Sequence, residues 1–287
     1  MRLRSLLFVP GDRPDRFDKA VHAGADAIII DLEDSVIASN KERARANAVE
    51  FLSRRSSDLP VLIRINPLTS QELPRDLLAL AGARPFAIVL PKAEGSHSVT
   101  ALVERLDQMG KNAMPILPIA TETPAAIFAL GSYQDVKDLI CGLTWGAEDL
   151  PAAIGATSAR EADGSYAAPY ELARSLTLFA AHGASVQAIE TVYPDFRDLP
   201  GLQKYAERGR RDGFTGMMAI HPDQVAVINQ AFTPSPSERA WAERVVAAFA
   251  ANPDAGAIEL DGRMLDLPHL KLANGIIASA QGTTKSK

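Results

Sequence analysis

The stretch AIIIDLED (Ala27–Asp34) is the segment of this 287-residue chain that indicates its fold most directly. Four apolar residues run without interruption and end in a cluster of acidic side chains. Such a continuous apolar run predicts a strand that is buried on both faces, as in a parallel sheet. Seven further runs follow the same design: SLLFVPGDR (Ser5–Arg13), VLIRIN (Val61–Asn66), AIVLPKAE (Ala87–Glu94), PILPIATETP (Pro115–Pro124), ICGLTWGAED (Ile140–Asp149), QAIETVYPD (Gln187–Asp195) and MMAIHP (Met217–Pro222).

The spacing of these eight runs indicates a single α/β domain. Most of the gaps between them are long enough for one helix, so the chain predicts a TIM (β/α)8 barrel over residues 1–232. Polar side chains at the carboxyl ends of eight such strands converge on one mouth, where barrel enzymes place their chemistry. Residues 233–287 lie outside the eightfold repeat, and we expect a helix and a lid segment there.

Composition excludes some classes of function. The net charge is −5, from 30 basic and 35 acidic side chains, so there is no basic field for a nucleic-acid partner. No run approaches the roughly 20 apolar residues that span a bilayer. The single cysteine, Cys141, cannot form an internal disulfide, and we expect a cytoplasmic protein without a membrane partner.

Two carboxylates follow the fifth and sixth apolar runs. Glu122 and Asp149 are close enough, if the strands are neighbours, to share one ion. Magnesium takes one or two protein carboxylates and leaves positions for an oxygen-rich substrate. Both residues also stand before helix-start signals, Thr-Pro and Leu-Pro, so helix capping is the competing interpretation.

Two cations occur within or just after apolar strands. A buried Arg64 needs a carboxylate, for which Asp31, Glu33 and Asp34 at the end of the second run are the natural partners. Part of its guanidinium could also bind a substrate anion. Lys92 could form a Schiff base or serve as a cation in an acidic network with Glu33, Asp34 and Glu122. We favour the network, because neighbouring carboxylates oppose the lowered pKa that a nucleophilic lysine needs.

Other polar positions give weaker signals. His221 precedes a proline at a strand end, which suits a loop anchor as well as a general base. Arg13 and Lys19 flank the first strand-to-helix turn and could hold a phosphate, although a solvated helix face explains them equally. No zinc-ligand spacing and no Ser/His/Asp arrangement is legible.

The order of the polar motifs resembles a known family. The chain is similar to the citrate lyase β-subunit-like family, the acyl-CoA branch of the HpcH/HpaI aldolase superfamily, from about Ser5 to Ala280. The motifs are Phe8-Val-Pro-Gly-Asp-Arg-Pro14, Asp31-Leu-Glu-Asp-Ser-Val36, Arg64-Ile-Asn66, Leu90-Pro-Lys92, Glu122-Thr-Pro124, Gly146-Ala-Glu-Asp-Leu150, Ala219-Ile-His-Pro222 and Asp261-Gly-Arg-Met-Leu-Asp-Leu-Pro268.

The resemblance implies a role for each group of site residues. Glu122 and Asp149 would bind Mg²⁺, with Mn²⁺ as a substitute, and Arg64 would hold the carboxylate or thioester oxygen of the substrate. Phe8, Arg13 and Lys19 would lie along the CoA moiety, while Glu33, Asp34 and Lys92 form the supporting network. The resemblance also implies a homo-trimer or hexamer, in which the C-terminal segment packs on a neighbouring subunit and Asp266 acts there as the catalytic acid/base.

The implied reaction is carbon–carbon cleavage of a β-hydroxyacyl-CoA. Citramalyl-CoA or malyl-CoA would give acetyl-CoA and a 2-oxo acid, pyruvate or glyoxylate, by retro-Claisen chemistry. Three alternatives stay open: the citryl-CoA-cleaving β subunit of a citrate lyase complex, a thioesterase or malate-synthase-type activity, and a non-enzymatic scaffold or sensor.

Overall fold

Each of the eight apolar runs contains a strand in the computed structural model, which describes residues 2–55, 57–110 and 114–281. The strands are short, and almost every side chain in them is buried. In chain order they are β1 (Ser5–Pro10), β2 (Ala27–Asp31), β3 (Val61–Arg64), β4 (Ala87–Leu90), β5 (Ile116–Pro118), β6 (Gly142–Thr144), β7 (Gln187–Glu190) and β8 (Gly216–Ala219).

The strands form one parallel sheet that curls into a barrel. Their order is β5-β4-β3-β2-β1-β8-β7-β6, so each strand lies beside its neighbour in sequence and β8 pairs with β1. The two ends of the sheet meet through isolated parallel bridges, Ile116 with Ile140 and Ile119 with Thr144. The predicted TIM (β/α)8 barrel is therefore confirmed.

Helices fill the connections and continue after the last barrel strand. Single 3-10 turns occupy Pro14–Arg16, Ala38–Asn40 and Leu80–Gly82, and a longer 3-10 segment, kinked at Val136, occupies Leu130–Leu139. Among the described residues, no helix is both long and apolar enough to cross a membrane. The α-helices are α1 (Phe17–Val21), α2 (Lys41–Arg54), α3 (Leu73–Ala79), α4 (Ser96–Gln108), α5 (Pro124–Ala129), α6 (Asp149–Ile154), α7 (Ala168–Gly183), α8 (Leu199–Asp212), α9 (Pro222–Ala231), α10 (Pro236–Ala250) and α11 (Leu267–Gln281).

Local sequence signals set several helix ends. Asp198 caps α8 by accepting a hydrogen bond from Gly201 N, and Gly213 ends the helix in the left-handed region at φ 116°. Ser235 and Glu238 form a capping box at the start of α10. Ser235 is the N-cap residue, and Pro236 directly after it occupies the first helical position.

The interior of the barrel is an apolar plug below the mouth. Leu6, Ile29, Leu62, Val89 and Leu117 belong to one buried cluster contributed by five neighbouring strands. The strands are parallel, so the polar residues that follow them all lie at the carboxyl end of the barrel, above this apolar interior. The fold thus fixes where a site can form.

The chain divides into two compact units. Among the described residues, one unit lies within residues 3–229 and holds the barrel; the other comprises residues 230–281 together with Arg2. In the second unit α10 and α11 pack around Ala242, Val245, Phe249, Leu265 and Ala273. The antiparallel hairpin β9 (Ala257–Leu260) and β10 (Arg263–Asp266) leads into α11, and residues 282–287 of the predicted lid lie outside the described ranges.

Candidate active site

The carboxyl ends of the barrel strands surround a cavity of about 890 Å³. Its walls come from the residues that end or follow β1, β2, β3, β5, β6, β7 and β8. Several of the predicted site residues line this cavity: Phe8, Arg13, Lys19, Asp34, Arg64, Glu122 and Asp149.

Arg64 is the buried cation at the centre of the site. Its Nε and Nη2 donate to the two carboxylate oxygens of Asp31 at 2.7 and 2.6 Å, and Nη1 lies 3.1 Å from Glu33. The Phe8 ring lies under the guanidinium, 4.9 Å from its carbon. Burial opposes ionisation of Asp31, yet the Arg64 hydrogen bonds and charge prevail and lower the pKa of Asp31. The pair is therefore an ion pair that leaves further N–H groups of Arg64 beside the cavity.

Lys92 contacts acids from two segments of the chain, one that follows β2 and one that follows β6. Its ammonium donates to Glu33 at 2.7 Å and lies 3.3 Å from Asp149 and 3.9 Å from Asp34. Burial lowers the pKa of Lys92, but the hydrogen bond and charge of Glu33 outweigh it and the pKa is raised overall. A permanently protonated ammonium opposes the Schiff-base interpretation. It fits the electrostatic network instead.

Glu122 is a buried carboxylate that the backbone holds in place. It is 4% exposed, and its Oε2 accepts a hydrogen bond from Lys92 N at 2.5 Å. Burial is the main reason that its pKa is raised to about 8, and the nearby charges of Asp149 and Glu33 add to this effect. Glu122 does not cap α5, because Thr123 occupies that position and accepts from Ala126 N.

Asp149 is the first residue of α6 and does not end a strand. The sequence signal for a helix start at this position was therefore correct. Its side chain nevertheless contacts Lys92, and the residue before it, Glu148, stands at the N-cap without a side-chain cap hydrogen bond. About one third of the Asp149 side chain is exposed, which makes it the accessible member of the pair with Glu122.

Glu122 and Asp149 are the candidate metal ligands of the site. Across the described ranges no cluster of three or more His, Cys, Asp or Glu side chains is arranged to hold an ion. Two carboxylates at the mouth, one buried with a raised pKa and one accessible, leave most coordination positions to water and substrate. This is how Mg²⁺ is usually bound, and a divalent cation would favour the ionised form of Glu122. The residues present fit Mg²⁺.

The three residues expected along a CoA moiety all line the cavity, but Arg13 has an internal partner. Its guanidinium forms a bidentate pair with Asp15, at 3.0 and 2.9 Å, on the exposed rim. Lys19 lies in α1 and Phe8 in β1. The rim therefore carries a cationic side that includes Arg16 as well.

Two features of the site were not predicted from the sequence. The rings of Phe196 and His221 stack at 4.9 Å on the cavity wall, although they are 25 residues apart in the chain and no spacing rule connects them. Lys41 Nζ donates to the carbonyls of Leu32 and Glu33 and to Asn66 Oδ1, which fixes the backbone that carries Glu33. The Arg-Ile-Asn motif was the available hint to the second feature.

Asp266 belongs to the second unit. It ends β10, and its Oδ1 lies 2.5 Å from Nδ1 of His269 in the first turn of α11. This hydrogen bond is the main cause of a lowered pKa of Asp266. Both side chains are nearly half exposed, at 49% and 43%, so the pair is open to solvent in the single chain.

Comparison with known proteins shows the family of this chain. Residues 4–222 match the family model described as HpcH/HpaI aldolase/citrate lyase. The chain is 36% identical to a citrate lyase subunit beta-like protein of Mycobacterium tuberculosis, over 97% of this chain and 96% of the relative. It is 32% identical to the mitochondrial citramalyl-CoA lyase of Homo sapiens, over 96% and 85%.

A solved structure gives the same result. The crystal structure of CitE from Mycobacterium tuberculosis, in complex with magnesium, acetoacetate and coenzyme A, superposes with a TM-score of 0.82. It is 34% identical to this chain and covers 98% of both chains. The chain belongs to the HpcH/HpaI aldolase/citrate lyase family, and with it to the carbon–carbon lyases that its motifs indicated.

Proposed function

We propose that the protein is a Mg²⁺-dependent lyase that cleaves a β-hydroxyacyl-CoA, citramalyl-CoA or malyl-CoA, into acetyl-CoA and a 2-oxo acid. The observation that carries the proposal is the buried carboxylate of Glu122 beside Asp149, with the cations Arg64 and Lys92 at the same barrel mouth. The citramalyl-CoA lyase among the relatives and the CitE complex with magnesium, acetoacetate and coenzyme A support it.

Glu122 and Asp149 would hold the metal. When bound there, Mg²⁺ supplies a Lewis acid that polarises the hydroxyl and carboxylate oxygens of the substrate. Ile119 and Met218 line the cavity and are each only 3% exposed, so the floor of the cavity is apolar.

Arg64 is oriented for the charge that develops on the thioester. Bond cleavage between Cα and Cβ leaves an electron pair on the carbon next to the thioester carbonyl, and the negative charge spreads to the carbonyl oxygen. Asp31 holds the guanidinium from behind with two hydrogen bonds, so its remaining N–H groups need no reorganisation to meet that oxygen. Such preorganised donors are typically worth about 3 kcal/mol of barrier each.

Two protons move in the reaction. The hydroxyl of the substrate loses a proton as it becomes the keto group, and the enolate carbon gains one as it becomes the methyl group of acetyl-CoA. We assign both transfers to Asp266 of a neighbouring copy of the chain, with the trimer or hexamer as the assembly. Its carboxylate, which the lowered pKa keeps ionised, accepts the hydroxyl proton and then donates it to the enolate carbon. The exposure of the Asp266 carboxylate in the single chain supports a role toward another copy.

The cavity rim suits a long thioester. Phe8, Arg13 and Lys19 offer an apolar ring and two cations, which match the pantetheine arm and the phosphates of CoA. The stacked rings of Phe196 and His221 add a flat apolar surface to the same wall.

The test is cleavage of purified citramalyl-CoA and malyl-CoA, with 2-oxo acid release followed in the presence of Mg²⁺ and of excess chelator. We expect metal-dependent release of pyruvate or glyoxylate with acetyl-CoA as the second product. Release of free CoA instead would indicate the thioesterase or synthase-type alternative. No product from either thioester, with release of oxaloacetate from citryl-CoA, would support the citrate lyase β subunit, which is the role named in the Mycobacterium tuberculosis relative.

A further inference from the structure

Another buried carboxylate, Glu190, ends β7 directly before Thr191, which lines the cavity. It is fully buried and accepts four hydrogen bonds. Oε1 accepts hydrogen bonds from Trp145 Nε1 at 2.5 Å, Tyr205 Oη at 3.0 Å and Thr191 N at 3.0 Å. Oε2 accepts a hydrogen bond from Arg174 Nε at 2.8 Å. These four hydrogen bonds hold the carboxylate and its four donor groups in one arrangement.

The charge of Glu190 is compensated on the side away from the cavity. Arg174 is 2% exposed, bridges Glu190 to Asp212 at 2.8 Å on each side and lies over the Phe214 ring at 4.8 Å. A buried ion pair of this kind adds little stability compared with apolar packing, but it specifies one arrangement of its neighbours. Trp145 donates to the same carboxylate and packs edge-on against Tyr166 at 5.1 Å.

Trp145 begins the short segment that leads to the proposed metal ligands. Gly146, the next residue, is bound on both sides by the Thr121 hydroxyl, which accepts from Gly146 N at 3.1 Å and donates to Gly146 O at 3.2 Å. Glu122 follows Thr121 directly, and Asp149 lies three residues beyond Gly146.

The fit between Gly146 and Glu122 is tight. A Cβ at Gly146 would lie 2.7 Å from Cγ of Glu122, so the glycine backbone and the glutamate stem are already in contact. Movement of Gly146 toward Glu122 would therefore displace the glutamate, and only two residues separate Gly146 from Asp149 at the start of α6.

We propose that Glu190 is a positioning residue for the Glu122–Asp149 carboxylate pair and acts through the Trp145 indole N–H. The ion pair with Arg174 fixes Glu190, Glu190 fixes Trp145, and Trp145 fixes the glycine against which Glu122 packs. This inference rests on the proposed metal role of Glu122 and Asp149.

The test compares two single-donor deletions at the same oxygen of Glu190. Trp145→Phe removes the indole N–H and keeps an aromatic ring; Tyr205→Phe removes a hydroxyl that leads to α8 and leaves Trp145 bound. Mn²⁺ is the probe, and its binding is measured by loss of the free-ion EPR signal and by displacement with Mg²⁺. We expect the Mn²⁺ Kd of Trp145→Phe to rise about tenfold and that of Tyr205→Phe to stay within about twofold of the wild type.

Equal Kd values for the two variants, or a larger rise for Tyr205→Phe, would overturn the positioning role of Glu190 while leaving the metal site intact. Failure of the unaltered protein to bind Mn²⁺ at all would overturn the proposed function and this inference with it. The two failures are therefore distinguishable.

A second measurement needs no change at the site. The chain has two tryptophans, so Trp241→Phe leaves Trp145 as the single fluorophore. We expect its emission to change on Mg²⁺ addition with the midpoint found by EPR competition. Constant emission at saturating Mg²⁺ would contradict a link between Trp145 and the carboxylate pair, whether or not Trp145→Phe folds.

Discussion

The ammonium of Lys92 lies 3.3 Å from the carboxylate of Asp149, and the backbone N–H of the same lysine donates to Glu122. One residue thus contacts both proposed metal ligands. Lys92 adopts φ 51°, a left-handed conformation that costs a side-chain-bearing residue about 1–2 kcal/mol. The ammonium compensates the negative charge of Asp149, and that of Glu122 when this group is ionised.

Glu122 should make the metal-free protein less stable as the pH rises. Its pKa is about 8 in the folded chain and 4.5 ordinarily, so the folded state binds the extra proton between these values. The stability that this proton gives is complete below pH 4.5 and lost as the pH passes 8. We expect Glu122→Gln to be more stable than wild type above pH 8, by an amount on the order of a few kcal/mol.

Chemical unfolding with chelator present, followed by circular dichroism over this pH range, measures the difference. The comparison variant is Glu104→Gln, which makes the same substitution at an exposed position of α4 outside the cavity lining. Parallel stability curves for wild type and Glu122→Gln would show that burial does not perturb Glu122.

Metal binding should release a proton. Near pH 7 Glu122 is mostly protonated in the metal-free protein, because its pKa is about 8, and a cation ligated there requires the carboxylate. We therefore expect release of about one proton per Mg²⁺ at pH 7, and a Mg²⁺ affinity that rises up to about pH 8 and then levels off.

Calorimetric titration in two buffers of different ionisation enthalpy gives the proton count. Asp149→Asn is the informative control, since it should weaken binding while the remaining binding still releases the proton from Glu122. Binding to wild type without proton release would contradict ligation by Glu122.

Active sites shared between copies of the chain predict complementation. Glu122→Gln impairs the barrel site and Asp266→Asn impairs the proposed acid/base, so each variant should be inactive by itself. Co-expressed in equal amounts, they should form mixed oligomers with about a quarter of the wild-type activity, because each site combines one barrel and one Asp266 at random.

The measurement is the rate of 2-oxo acid release from the purified mixture, with tagged chains to show that both variants are present. A mixture as inactive as the two parents would contradict the exchange of Asp266 between copies.

Cys141 should be unreactive in the folded protein. Burial raises the pKa of its thiol to about 11 from the ordinary 9.0, and its Sγ contacts the Ile116 carbonyl at 3.6 Å. At pH 8 the thiolate fraction falls about 100-fold, and alkylation by iodoacetamide should slow by a similar factor relative to the denatured chain. Mass spectrometry of native and guanidinium-denatured samples follows the reaction; equal rates would show that the thiol is accessible.

Strand positions were predictable because burial on both faces leaves a strong pattern. Runs such as Ala27–Asp31 are apolar at every position but the last. A parallel sheet covered by helices buries such strands on both faces, which is why eight of these runs predicted one. Asp149 shows the limit of this reasoning. It lies five residues after β6 and opens a helix, so its distance to Glu122 could not follow from strand spacing.

The eightfold alternation and the motif order, and with them the family, can be predicted from the sequence, because apolar runs and short motifs are local features of the chain. Which polar groups share a partner depends on the folded structure. Lys92 could have met any of several acids, yet its side chain contacts Glu33 and Asp149 while its backbone binds Glu122. The stacking of Phe196 on His221 and the anchoring of Trp145 by Glu190 also depend on distant segments. Such contacts follow from barrel closure and packing, for which one sequence carries no local signal.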